Sequence, residues 1–243
     1  MARRYLLSPL VIGLALSALI GASSDTPQST QAPKVQIPNP GVNEIMTLED
    51  AFVRVAYNNE GYVTLGYRLA NTLVGQEWMF IEVGATMREG KRNYTLKRSA
   101  ISLSLPDESR VPLPTDGEYK QVDLRGIERQ STVIRDSINY FPPSVRDACR
   151  LGFFSETSSR TLAYDEVELS ATRGCLGRLY FKIPGGLKYG QHFLNVQFQE
   201  SLVRVPFRIV TKEEEKILSK NWKDIRKQVQ EAFKKGGKGP QGP

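Results

Sequence analysis

From about residue 50 the apolar positions recur at every second residue, the pattern of strands with one face buried. Val53, Val55 and Tyr57 form the first run, closed by the turn signal Asn58-Asn59-Glu60-Gly61. Val63, Leu65, Tyr67 and Leu69 make the second. Met79, Ile81, Val83 and Ala85 alternate with Trp78, Phe80, Glu82 and Gly84, a stretch apolar enough to predict a central strand. Ile101, Leu103 and Leu105 alternate with serines. The same pattern returns at Val167 and Leu169, then at Leu179, Phe181 and Ile183, which end at Pro184-Gly185-Gly186. His192, Leu194, Val196 and Phe198 share one parity, as do Val203, Val205, Phe207 and Ile209. Pro206 has the outward parity of that last run, which predicts an edge strand or a bulge.

Two segments break the alternation. In an insertion at about 115–160, Tyr119, Val122, Ile127, Ile134 and Ile138 approach helical spacing, Gly126 interrupts, and Pro142-Pro143 stops the run. A partly helical segment is expected there. At 211–235, Leu218, Trp222, Ile225, Val229 and Phe233 recur at spacings of four, three, four and four, the stripe of an amphipathic helix. Thr211 followed by Glu214 predicts a capping box, and Glu213 to Glu215 lie at the positive end of the helix dipole. Residues 236–243 read as a disordered basic tail.

The N-terminal end differs in kind. Arg3 and Arg4, an apolar run from Leu6 to Gly21 and small residues at Ala22-Ser23-Ser24 predict a signal peptide over 1–24, with an uncleaved anchor as the alternative. Residues 25–45, rich in Pro, Ser, Thr and Gln, read as a linker, because so few apolar side chains cannot offset the entropy of ordering. The β-domain is then expected over 46–210.

Charge changes this picture little. Of the formal net charge of +7, two units sit in the leader and four in the segment from Lys212 to the end, so the body is close to neutral. A nucleic-acid binder carries its basic surface on the folded body, so no nucleic-acid partner is expected. Lys91-Arg92 and Lys97-Arg98 flank Tyr94, and Asn93-Tyr94-Thr95 fits the glycosylation pattern of a eukaryotic secretory pathway. Cys149 and Cys175 are the only cysteines. In the oxidising compartment that a signal peptide implies, they are expected to form a disulfide, worth about 3 kcal/mol for a loop of this length. They lack the C-x-x-C spacing of a redox pair.

Catalytic candidates are few. The single histidine, His192, shares the parity of Leu194, Val196 and Phe198 at a strand start and reads as a strand-end histidine rather than a catalyst. Asp165, Glu166 and Glu168 offer carboxylates for acid–base work of the glycosidase kind, but Glu166 and Glu168 have solvent parity. No nucleophile elbow, phosphate loop or metal-binding motif occurs. No catalytic residue, cofactor or metal is therefore expected.

The reading is a mainly β protein, an antiparallel β-sandwich with a partly helical insertion and a C-terminal amphipathic α-helix. Its strand spacing resembles that of immunoglobulin-like sandwiches, an architectural likeness that carries no function. The function expected is that of an exported, non-catalytic cell-envelope module, periplasmic or extracellular. It would bind a protein or envelope component through its loops or through Leu218, Trp222, Ile225, Val229 and Phe233. Packing of that stripe on the β-domain and contact with a membrane surface are its other readings. An envelope glycan hydrolase using carboxylates, or a carrier or chaperone for an apolar ligand, are the alternatives.

Overall fold

A computed structural model of the protein describes residues 45–155 and 161–236. The expected signal peptide, nearly all of the linker and the terminal tail lie outside the described residues. In chain order the elements begin with β1 (Ile45–Asp50), β2 (Val53–Tyr57), β3 (Gly61–Gly66), α1 (Arg68–Thr72), β4 (Trp78–Met87) and β5 (Tyr94–Lys97). A 3-10 turn at Arg98–Ala100 leads into β6 (Ile101–Ser104) and β7 (Arg110–Pro112). The insertion holds α2 (Asp116–Lys120), α3 (Arg125–Val133) and β8 (Asp147–Arg150). Then come β9 (Glu166–Leu169), β10 (Arg173–Lys182), β11 (Gly190–Gln197), β12 (Leu202–Ile209) and α4 (Lys212–Gly236).

The protein is mainly β. One sheet has six strands in the order β1-β2-β3-β4-β10-β8, a second has four in the order β12-β11-β6-β7, and β5 pairs with β9 alone. Alternation decides which side chains meet between the two larger sheets. Val63 and Leu65 of β3, Ile81 and Val83 of β4 and Leu179 and Phe181 of β10 share a face by register. They belong to one buried core with Leu103, Leu194, Val196, Val205 and Phe207 of the four-stranded sheet. Pro206 lies on β12, an edge strand, where a missing N–H leaves no ladder bond unmade. Pro184-Gly185-Gly186 makes its turn with both glycines at positive φ, and a β-carbon on Gly186 would come within 2.7 Å of the Gly75 carbonyl oxygen.

Three features differ from the sequence reading. Leu69 does not extend a strand: the chain turns at Tyr67 into α1, where Leu69, Ala70 and Leu73 are buried. Leu65, Leu69 and Leu73 also fit a spacing of four, so the period of two was not the only one available there. The sheet is not wholly antiparallel, because β8 of the insertion pairs parallel to β10. A strand β1 also starts at Ile45, the last residue of the expected linker.

The disulfide forms as expected. Cys149 and Cys175 face each other in register on β8 and β10, with Cα atoms 4.3 Å apart, and this bond fastens the insertion to the six-stranded sheet. Segment 134–146, between α3 and β8, then crosses the outer face of that sheet. Glycines make room for it. A β-carbon on Gly66 would meet Asp136 at 2.6 Å, and one on Gly84 or Gly174 would meet the Phe141 ring at 2.8 and 2.7 Å. Every residue of β4 is consequently buried, on both parities.

The capping box of α4 is also present: the Thr211 hydroxyl accepts from the Glu214 backbone N–H, and the Glu214 carboxylate accepts from the Thr211 N–H at 2.9 Å. Helix α4 lies against β1. Leu218 and Trp222 are partly buried against the core, and Arg226 pairs with Glu49 at 3.0 Å. No helix among the described residues is long and apolar enough to cross a membrane.

Candidate binding face

The residues singled out for chemistry are mostly committed to the fold. His192 is 1% exposed; its Nδ1 lies 3.0 Å from the Gly190 carbonyl oxygen and its ring stacks on Phe207 at 5.4 Å. Burial pushes its pKa below the usual 6.5, so the imidazole is held neutral in the core. Asp165 accepts from Arg98 Nε at 2.9 Å. The rest of that guanidinium donates to the carbonyls of Pro114, Phe153 and Tyr164, tying the insertion to the β5–β6 turn. The Lys97-Arg98 pair is thus divided, Arg98 inward and Lys97 outward. Glu166 and Glu168 are exposed, and Glu168 accepts from the Asn93 side chain.

Of the helical stripe, Leu218, Trp222 and Ile225 are each half-buried. The side chains of Val229 and Phe233 lie outside the described residues.

A carboxylate pair that the sequence did not suggest sits beneath the crossing segment. Glu82 Oε2 accepts from the Asp136 backbone N–H at 2.8 Å. Asp136 in turn accepts from Arg68 Nε at 3.0 Å and from the Arg68 backbone N–H at 2.8 Å. Arg68 also reaches Asp50 at 2.9 Å. Burial raises the pKa of both Glu82 and Asp136, against hydrogen bonds that lower them. These bonds fasten the segment and orient α1. Among the described residues no group of three or more His, Cys, Asp or Glu is placed to hold a metal ion.

A cleft of about 780 Å³ opens where β5, β6, β7 and the end of β11 converge. Its lining includes Tyr94, Lys97, Ser99, Ser102, Arg110 and Gln197. Register explains the convergence. Ser102 stands opposite both Pro112 and Asn195, and Ser104 opposite Arg110 and Phe193, so these side chains share the outward face of the four-stranded sheet. They are braced from below: Arg110 Nε donates to Ser102 Oγ at 2.7 Å, and Asn195 Nδ2 donates to Ser104 Oγ at 2.9 Å. Tyr94 donates its hydroxyl to the Gln197 carbonyl at 3.3 Å, which holds the ring at the cleft wall. Burial raises its pKa, with a smaller contribution from Glu60.

The four strands of this sheet contain Arg110, Arg204 and Arg208 and no aspartate or glutamate. Arg204 lies over the Phe193 ring at 3.7 Å, and Arg208 is bonded to Glu214 at 2.8 Å. The outward face therefore offers cationic, hydroxyl and amide groups on rigid strands. It can accept a polar ligand and contains no pair of carboxylates to act as acid and base. Comparison with protein-family models, curated proteins and solved structures found no match.

Proposed function

We propose that the protein is an exported, non-catalytic module of the cell envelope, built as an immunoglobulin-like sandwich, that binds a protein or another envelope component. The observation that carries this reading is the outward face of the four-stranded sheet, where a cleft lined by polar side chains is held on paired strands. Export is supported by the disulfide, which persists in an oxidising compartment. The exposed faces of α4 add a second surface suited to a protein partner.

The experiment compares three full-length forms expressed with their leader in a Gram-negative host: the native chain, Lys97→Gln/Arg110→Gln and Trp222→Ala. Fractionation and retention on washed envelopes are the readouts. The reading expects the native chain outside the cytoplasm and retained, with at least one variant released at an unchanged melting temperature. A cytoplasmic protein, or equal washing-out of all three, would overturn it.

A further inference from the structure

We infer that the cleft binds an acidic glycan chain, with Arg110 and Lys97 holding its carboxylates and Tyr94 lying against a sugar ring. This deepens the binding-module reading and rests on it. The argument starts from charge. Lys97 and Arg110 both line the cleft, and among the described residues neither forms an ion pair within 4.0 Å. Two exposed acids border the cleft on its β9 side, Glu166 opposite Lys97 and Glu168 opposite Thr95, and Glu168 is engaged by the Asn93 side chain. The Arg110 guanidinium is oriented through Nε by Ser102, which leaves the fork of its two Nη groups for a planar, bidentate acceptor such as a carboxylate.

The remaining lining selects among anions. Ser99, Thr95 and Gln199 offer hydroxyl and amide groups, which donate and accept in the manner of sugar hydroxyls, while the Gln197 amide nitrogen is held by the Phe198 and Ser201 carbonyls. The half-buried Tyr94 supplies the single aromatic ring of the lining. A polynucleotide would call for a longer run of phosphate contacts and several stacking rings, whereas two cations and one ring match a chain carrying one carboxylate per sugar. The volume of about 780 Å³ lies within the range of small-ligand sites.

The test is titration calorimetry of the full chain with a hexamer of α-1,4-linked galacturonate. Maltohexaose serves as the neutral control and a single-stranded oligodeoxynucleotide of matched charge as the other polyanion. Binding of the galacturonate alone is expected, weakened at least tenfold in Lys97→Gln/Arg110→Gln, the loss anticipated for charge-assisted hydrogen bonds. Amide chemical-shift changes in the native chain are expected to cluster at 94–102, 110–112 and 197–199, a readout independent of any variant. Equal binding of maltohexaose, equal binding of the oligonucleotide, or shifts elsewhere would overturn the inference. Envelope retention that depends on Lys97 and Arg110 without galacturonate binding would remove the glycan and leave the binding module standing. Loss of both would remove the two together.

Discussion

The outward faces of the two larger sheets began from the same alternating pattern and ended in opposite conditions. On the six-stranded sheet, outward positions hold Gly66, Gly84 and Gly174, and a crossing segment lies down in the space they leave. Polar groups trapped there, Glu82 and Asp136, are satisfied internally. On the four-stranded sheet, outward positions hold Ser102 and Asn195, which are buried and hydrogen-bonded to Arg110 and Ser104, and the long side chains of Arg110 and Arg204, which remain exposed. A strand's outward residue therefore reports what will cover it. Glycine at that parity marks a face that accepts another piece of chain.

The largest test of this contrast is the disulfide. Replacing Cys149 and Cys175 together by serine frees β8 from β10 and should cost about 3 kcal/mol. Chemical denaturation should show that loss while cleft binding survives in the folded fraction. Equal loss of binding would mean that the two faces are one cooperative unit. Next in size is Gly84→Val. Its side chain would press on the Thr64 hydroxyl, Phe141 and Leu176, so the variant should lose about 2 kcal/mol by overpacking, read as a lower melting temperature. An unchanged melting temperature would show that both the Thr64 side chain and the crossing segment give way freely.

The covered face also contains one flaw. The Thr64 hydroxyl is buried opposite Gly84 and has no hydrogen-bond partner among the described residues. Thr64→Val keeps the shape and removes the unmet polar group, so about 1 kcal/mol of added stability is expected, again by denaturation. A loss of stability would point to a bound water bridging the hydroxyl.

The smallest effects concern pH, and here the two sheets should oppose each other. Burial raises the pKa of Glu82 and Asp136, so their desolvation cost is full at neutral pH and is relieved as pH falls through the raised values. His192, buried in the four-stranded sheet, has a lowered pKa. Its contribution is intact above 6.5 and is lost as pH falls below that value. In denaturation curves from pH 7.5 to 4.5, Glu82→Gln should decline more steeply than the native chain and His192→Gln less steeply. Parallel curves for all three would show that neither group is coupled to folding.

Much of the β-domain was legible because its longer strands keep a strict period. Met79 to Ala85, Leu194 to Phe198 and Val203 to Ile209 could be placed on faces from spacing alone. Strands β5, β7 and β8 have three or four residues each, too few for alternation to rise above chance. In β1, Met46 and Leu48 supply only two inward apolar positions next to a Pro-rich stretch. In the crossing segment Ile134 and Ile138 kept a helical spacing, yet α3 ends at Val133 and the chain beyond it is held by Asp136, Ile138 and Phe141 against glycines that lie far away in sequence. Those glycines were a usable signal, being outward residues too small to face water for any packing reason. The cleft was invisible for a related cause: it joins residues 94–102, 110–112 and 197–199, which meet only through sheet register. Its one local trace was the lack of acids in four strands.

The sheet ends carry a consequence for recognition. Strand β1 has α4 packed against it, β8 is a four-residue strand bonded covalently to its neighbour, β7 has three residues and ends in Pro112, and β12 bears Pro206 between two outward arginines. None of these four margins presents a long free row of backbone donors and acceptors to which a foreign strand could hydrogen-bond. At the two larger sheets strand addition is therefore disfavoured and recognition falls to side chains, which would make selectivity there a matter of a few substitutions on an unchanged architecture.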